Sequence, residues 1–218
     1  MIRHAARIRN IVETDLLPHV PDLDKGIFLI KFVNGDNHQG TQGIICGKVF
    51  MNILVTGANG QLGTELRNVT AGSRHNYIFS DVTSLPDVET LSLDITNIDA
   101  TRIVCDSENI DVIVNCAAYT NVDKAEDEPS MAMLLNCTAA GNLARVAKER
   151  DAALIHISTD YVFHGDIPMP CKEDWPTDPL GVYGSTKLAG EKEVEKSGCK
   201  SIIIRTAWLY SPYGRNFV

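Results

Sequence analysis

No apolar run in the 218 residues approaches the ~20 needed for a membrane-spanning helix, so none is expected. There is no Cys-x-x-Cys pair either. Cys46, Cys105, Cys116, Cys137, Cys171 and Cys199 are scattered and have no histidine close by. That spacing excludes a zinc site or a disulfide framework and suits thiols in a reducing cytoplasm. The six histidines are equally dispersed and read as structural or solvent-facing. Positive charge is in deficit, with 20 Lys+Arg against 28 Asp+Glu and a net charge of −8. A phosphate backbone needs a clustered basic face, so nucleic acid is not the expected partner. Residues 1–50 contain no serine, no apolar signal core and no small-residue cleavage site. Arg3, His4, Arg7 and Arg9 make their start basic, but Glu13 and Asp15 interrupt it, so neither a secretory nor a transit signal is well formed. What remains is ordinary globular composition, 44% hydrophobic and 22% charged, long enough for one α/β domain plus an appendage.

The organising stretch is Met51 to Glu65, MNILVTGANGQLGTE. Asn52 to Thr56 has the continuous apolar character of a strand buried on both faces. Gly57, Gly60 and Gly63 follow at a G-x-x-G-x-x-G spacing, and an amphipathic helix carries Leu62, Leu66 and Val69. A sharp turn at Gly57, a bare backbone at Gly60 and close helix packing at Gly63 are what a pyrophosphate at a helix N-terminus requires. The chain then alternates. Strands are expected at His75–Asp81, Val88–Leu93, Asp111–Asn115, Ala153–Ser158 and Ser201–Arg205. Helices are expected from a cap at Thr96 or Asn97 to about Glu108, and over Pro129–Arg150 with Met131, Leu134, Leu135, Leu143, Val146 and Ala147 inward. This pattern predicts an α/β fold, a doubly wound parallel sheet of Rossmann type with strand order 3-2-1-4-5-6. Residues 1–50 do not fit it. They read as an N-terminal extension or a non-native upstream start, with a candidate strand at Gly26–Phe32 and a loop at Asn34–Gly43, so the domain boundary falls at 50/51.

In such a sheet, ligands lie beyond the carboxyl ends of the strands. Asp81 ends the second strand of the unit, 24 positions after Gly57, where a carboxylate accepts ribose hydroxyls and favours NAD over NADP. A turn aspartate is the alternative reading. Asp94 is placed to receive an adenine amino group, and Ala117 and Ala118 leave room for a cofactor. Ser158 and Thr159 end the fifth strand, followed by Tyr183 and Lys187. A Tyr and a Lys four apart share a helix face, so the ammonium is expected to lower the phenol pKa. Tyr183 then serves as general acid to a carbonyl oxygen, and Thr159 donates to the same oxygen.

Four separated segments, NCAAYTNVDKAEDEP (115–129), HISTDYVFHG (156–165), PLGVYGSTKLAGE (179–191) and IIRTAWLYSPYGRNFV (203–218), resemble the dTDP-4-dehydrorhamnose reductases of the extended short-chain dehydrogenase/reductase superfamily. The resemblance implies reduction by NADPH or NADH of the C4 keto group of a dTDP-linked 6-deoxyhexose, the last step to dTDP-L-rhamnose. It implies Thr159, Tyr183 and Lys187 as catalytic residues. It extends the cofactor contacts to Asn59, Gln61, Leu62, Ile95 and Tyr119, with Tyr183 and Lys187 counted among them, and gives Thr120, Val122, Asp160, Tyr161 and Trp208 to the sugar nucleotide. Glu65 matches a position linked in some members to a Mg2+-dependent dimer, so a homodimer is allowed. Family members continue past the RNF segment, so 51–218 is expected to hold the cofactor part and the catalytic residues with the substrate part incomplete. The same resemblance leaves two alternatives: a non-catalytic NADP-binding subunit like the regulatory subunit of methionine adenosyltransferase, or an inactive truncated reductase.

Overall fold

The computed structural model describes residues 28–33, 50–165 and 171–213, the first of these as backbone only. The expected loop at Asn34–Gly43 lies outside them, as does Cys46. Among the described residues, seven strands form one sheet: β1 (Phe28–Val33), β2 (Asn52–Thr56), β3 (Asn76–Asp81), β4 (Leu91–Ser92), β5 (Val112–Asn115), β6 (Ala153–Thr159) and β7 (Lys200–Thr206). Their order is β1-β7-β6-β5-β2-β3-β4. The six strands from β2 onward pair in parallel, which is the expected 3-2-1-4-5-6 order counted from Met51. β1 alone is antiparallel and lies on the β7 edge, Phe28 opposite Thr206 and Val33 opposite Ser201. A strand from the first 50 residues is therefore part of the same sheet.

Helices α1 (Gln61–Val69), α2 (Ile98–Ser107), α3 (Val122–Asp127), α4 (Pro129–Met133), α5 (Ala139–Glu149) and α6 (Val182–Ser197) connect the strands. Strand alternation divides the core. Ile53, Val55, Val112, Val114, Ile155 and Ile157 pack with Leu62 and Leu66 of α1. Leu54, Ile113, Leu154 and Ile203 face the other way, toward Cys105, Leu143, Ala147 and Val194. Burial on both faces is why these strands read as unbroken apolar runs. Asn97 caps α2 as expected, its side chain accepting from the Asp99 and Ala100 amides. The third strand of the unit is shorter than expected, two residues, because Arg67 binds the Glu89 carbonyl and the Thr90 hydroxyl and holds them in the preceding loop. α3 was not expected from the sequence.

The predicted Pro129–Arg150 helix is helical throughout, but Leu134–Thr138 takes a π turn. The inserted residue rotates the helix face, so Leu143, Val146 and Ala147 are buried while Met131 and Leu134 are exposed, contrary to expectation. Asn136 holds the turn: its side chain accepts from the Tyr119 amide and donates to the Tyr119 carbonyl and the Thr186 hydroxyl. α6 lies so close that a Cβ at Gly190 would come within 2.0 Å of the Asn136 carbonyl. No helix among the described residues is long and apolar enough to cross a membrane.

Candidate active site

A cleft of about 1160 Å³ opens along the carboxyl ends of β2, β3, β5, β6 and β7. At one end the chain leaves β2 through Gly57, held at φ +65; a Cβ there would sit 2.6 Å from the Ala117 backbone. Only glycine lets the turn and the loop after β5 meet so closely. Gly60 caps α1 in extended conformation, so the amides of the first helical turn open toward the cleft with the positive end of the helix dipole. Gln61, Leu62, Asp81, Asp94, Ile95, Ala117 and Ala118 line the same end, together with Leu93. The bare turn, the helix N-terminus and the apolar slot between Leu93 and Ile95 fit a dinucleotide.

Three expected cofactor residues stand behind the cleft instead of lining it. Gly63 packs against Ala58. Asn59 braces the turn, its amide donating to Asp81 at 3.1 Å and its side chain to the Thr83 carbonyl. Tyr119 turns outward to donate to Glu128 at 2.7 Å, because Asn136 holds its backbone. The Asp81 carboxylate lines the cleft while also accepting from the Thr83 amide and hydroxyl, so the cofactor reading and the turn reading describe the same residue. Asp94 likewise binds the Thr96 amide and hydroxyl.

Thr159, Tyr183 and Lys187 meet at the other end. α6 is placed by its first turn, where the Val182 amide donates to Glu126 at 2.7 Å, and by a buried fork in which Arg205 of β7 donates to both Glu191 oxygens at 2.9 and 2.7 Å. Arg205 also binds the Glu173 carbonyl and lies over the Phe163 ring, tying the segment before α6 to the sheet. Lys187, 1% exposed, donates to the Ile157 carbonyl at 2.6 Å. Burial lowers its pKa to about 8, against the opposing pull of Glu191 and Cys116.

The expectation that Lys187 lowers the Tyr183 pKa is not met. Burial raises it, with Asp160 and Tyr161 adding to the rise and a hydrogen bond with the Thr159 hydroxyl opposing them. Desolvation of a phenolate outweighs the hydroxyl's help, and the ammonium is engaged by the Ile157 carbonyl. The phenol is thereby held protonated, the form a proton donor needs. Asp160 is also pushed up by burial, and it accepts from the Thr159 hydroxyl at 3.2 Å. Thr120, Val122, Asp160, Tyr161 and Trp208 line the rest of the cleft. Tyr161 meets the Tyr183 ring edge-on at 5.6 Å, and Trp208, at φ +54, is 73% exposed.

Glu65, which the resemblance places at a dimer contact, is 2% exposed on α1, and within this one chain no group of three or more His, Cys, Asp or Glu able to hold a metal occurs among the described residues. The sequence reading missed Asn136, Glu191 and Arg205. A lone asparagine in the apolar LLNCT stretch, and a Glu one turn beyond Lys187, were the available signals.

The RmlD substrate binding domain family matches residues 51–218. The dTDP-4-dehydrorhamnose reductase of Escherichia coli K12 is 45% identical over 167 residues, 77% of this chain and 54% of that protein. That of Mycolicibacterium smegmatis is 43% identical over 159 residues, 72% and 46%. A solved structure of a Bacillus anthracis dTDP-4-dehydrorhamnose reductase in complex with NADP superposes with a TM-score of 0.70 at 37% identity, covering 78% of this chain and 57% of that one. The chain spans about half the length of the curated relatives it matches. With the glycine turn, the cleft and the Thr159, Tyr183 and Lys187 cluster on the matched residues, the chain belongs to the RmlD substrate binding domain family, whose relatives here are dTDP-4-dehydrorhamnose reductases.

Proposed function

We propose that the chain carries the cofactor-binding and catalytic part of an NAD(P)H-dependent reductase that converts the C4 keto group of dTDP-4-dehydro-L-rhamnose to the alcohol of dTDP-L-rhamnose. The observation that carries this reading is the convergence of Thr159, Tyr183 and Lys187 in one cleft with the glycine turn. The reductase names of the relatives and the NADP in the Bacillus anthracis structure support it. Residues 51–218 form the reductase unit, and 1–50 an extension that adds the edge strand β1.

A bound reduced nicotinamide supplies a hydride to the keto carbon. Gly57, Gly60 and the first turn of α1 hold its pyrophosphate, Asp81 its adenosine ribose, and Leu93, Ile95, Ala117 and Ala118 its apolar faces. Tyr183 gives its phenolic proton to the carbonyl oxygen as charge develops there. Thr159 donates a hydrogen bond to that oxygen, which stabilises the same charge. Lys187 binds the nicotinamide ribose, and its ammonium offsets the negative charge left on Tyr183. Tyr161, Trp208, Thr120, Val122 and Asp160 contact the sugar nucleotide. A cytoplasmic location and a homodimer belong to the same reading, the latter measured by light scattering of the purified protein.

The test is nicotinamide absorbance with dTDP-4-dehydro-L-rhamnose, for this chain and Tyr183→Phe. Oxidation is expected to fall roughly 10²–10⁴-fold in the variant with cofactor affinity nearly unchanged, the size of a lost general acid. Cofactor binding without any Tyr183-dependent oxidation overturns catalysis by this chain and leaves a binding subunit or an inactive truncated reductase.

A further inference from the structure

Beneath the catalytic residues a row of polar side chains crosses three adjacent strands. Thr56, Asn115 and His156 are direct cross-strand neighbours, each about 1% exposed. The Thr56 hydroxyl donates to Asn115 Oδ1 at 2.7 Å, and the Ala117 amide donates to the same oxygen at 3.2 Å. An amide N–H has only a proton to offer, so it fixes which end of the Asn115 side chain is oxygen. The Asn115 nitrogen is then the atom 3.0 Å from His156 Nδ1, and an NH2 group donates. Nδ1 must accept. The neutral ring therefore carries its proton on Nε2, which is buried without a hydrogen-bond partner among the described residues.

His156 is two residues before Ser158, on the same face of β6, and the intervening Ile157 carbonyl is the acceptor for Lys187. Lys187 is the charged group whose field reaches His156; Lys187 in turn feels Glu191 from its own helix and Cys116 from the end of β5. From β7 the cross-strand neighbour of His156 is the apolar Ile203. A second buried cation here would compete with an ammonium that burial already weakens.

We propose that Asn115 is a positioning residue that locks His156 as the neutral, Nε2-protonated imidazole, so that the ring adds no further cation beside Lys187, the Arg205 guanidinium across from Ser158 being paired with Glu191. Protonating the ring would require Nδ1 to become a donor facing the donor of Asn115. Burial and the Lys187 charge push the ring the same way, well below the usual histidine range. The tautomer lock itself needs no catalytic assignment; its consequence for Lys187 rests on the reductase reading.

The experiment is a long-range 1H–15N spectrum of the whole chain labelled with 15N-histidine, with His156 assigned from the spectrum of His156→Gln. The expected result is a neutral Nε2–H pattern that does not change from pH 5.5 to 8.5. A proton on Nδ1, or titration inside that range, overturns the proposal. Asn115→Asp then places an acceptor opposite Nδ1 and is expected to bring the ring's titration into the range pH 6–8. The Lys187 13Cε shift, which a merely structural role of Asn115 would leave unmoved, is expected to titrate at a different pH in this variant than in the unmodified chain; an unchanged Lys187 titration overturns the link to Lys187. If no reductase activity is found at all, both readouts still stand.

Discussion

The two ends of the cleft are built on opposite principles. The cofactor end is made of backbone and small or apolar side chains: Gly57, Gly60, Ala117, Ala118, Leu93 and Ile95, with Asp81 at its rim. The catalytic end buries full charges and their partners, Lys187, Glu191 and Arg205, each no more than 2% exposed. One end works by leaving space beside amides, the other by holding charges where water does not reach. The first should fail when a side chain is added and the second when one is removed.

The largest expected effect is on the Arg205–Glu191 fork. Arg205→Ala leaves the Glu191 carboxylate buried and unpaired, which costs about 3–5 kcal/mol by urea unfolding. Replacing both, Arg205→Met with Glu191→Leu, is expected to recover most of that stability, since the pair's desolvation roughly cancels its attraction. A single variant costing under about 1 kcal/mol would mean that the fork does not hold α6 to the sheet.

Lys187 gives the next effect, read as stability against pH. Its pKa falls from 10.5 unfolded to about 8 folded, so between these values the unfolded chain binds more protons. Stability therefore rises with pH across that window, by about 3 kcal/mol, and is lost again as pH falls to 8. The comparison is made as the chain minus its Lys187→Met variant, because Cys116 and Tyr183, whose pKa values burial raises, act in the opposite sense. A flat difference would place the ammonium in contact with water. At the cofactor end, Gly57→Ala is smaller in energy, roughly 1–2 kcal/mol for the left-handed backbone alone. The contact with Ala117 adds to it, and cofactor affinity measured by fluorescence should fall together with stability.

The contrast also explains what was legible in the sequence. Strands buried on both faces announce themselves as apolar runs, and Gly57 to Gly63 announce a phosphate turn, because their causes are local. Thr159, Tyr183 and Lys187 were found through helical spacing and resemblance. Their environment was not. Lys187 finds its acceptor 30 residues away, Asn136 finds Thr186 50 residues away, and Arg205 closes on Glu191 only after β7 has docked. The π turn at Leu134–Thr138 has no local signature because what fixes it is Tyr119 and the approach of α6. Hence the inward face of that helix was misread in its first half, and the sign of the Tyr183 shift was misread because burial, invisible in spacing, sets it.

The smallest effect is the finest test of the cofactor end, because the cofactor and turn readings coincide at the Asp81 carboxylate. Its carboxylate braces the turn through Asn59 and Thr83 and also faces the cleft. A like charge at the rim should repel the extra 2′-phosphate of NADPH, whereas bracing the turn should help both cofactors equally. Asp81→Asn keeps an acceptor for the turn and removes the charge. If the carboxylate discriminates, the ratio of NADPH to NADH affinity should rise about tenfold, ~1.4 kcal/mol, which a single exposed charge pair can supply. The measurement is cofactor fluorescence titration of both proteins with both cofactors. An unchanged ratio with both affinities lowered would make Asp81 a turn residue only, and cofactor choice would then lie with groups elsewhere along the ribose.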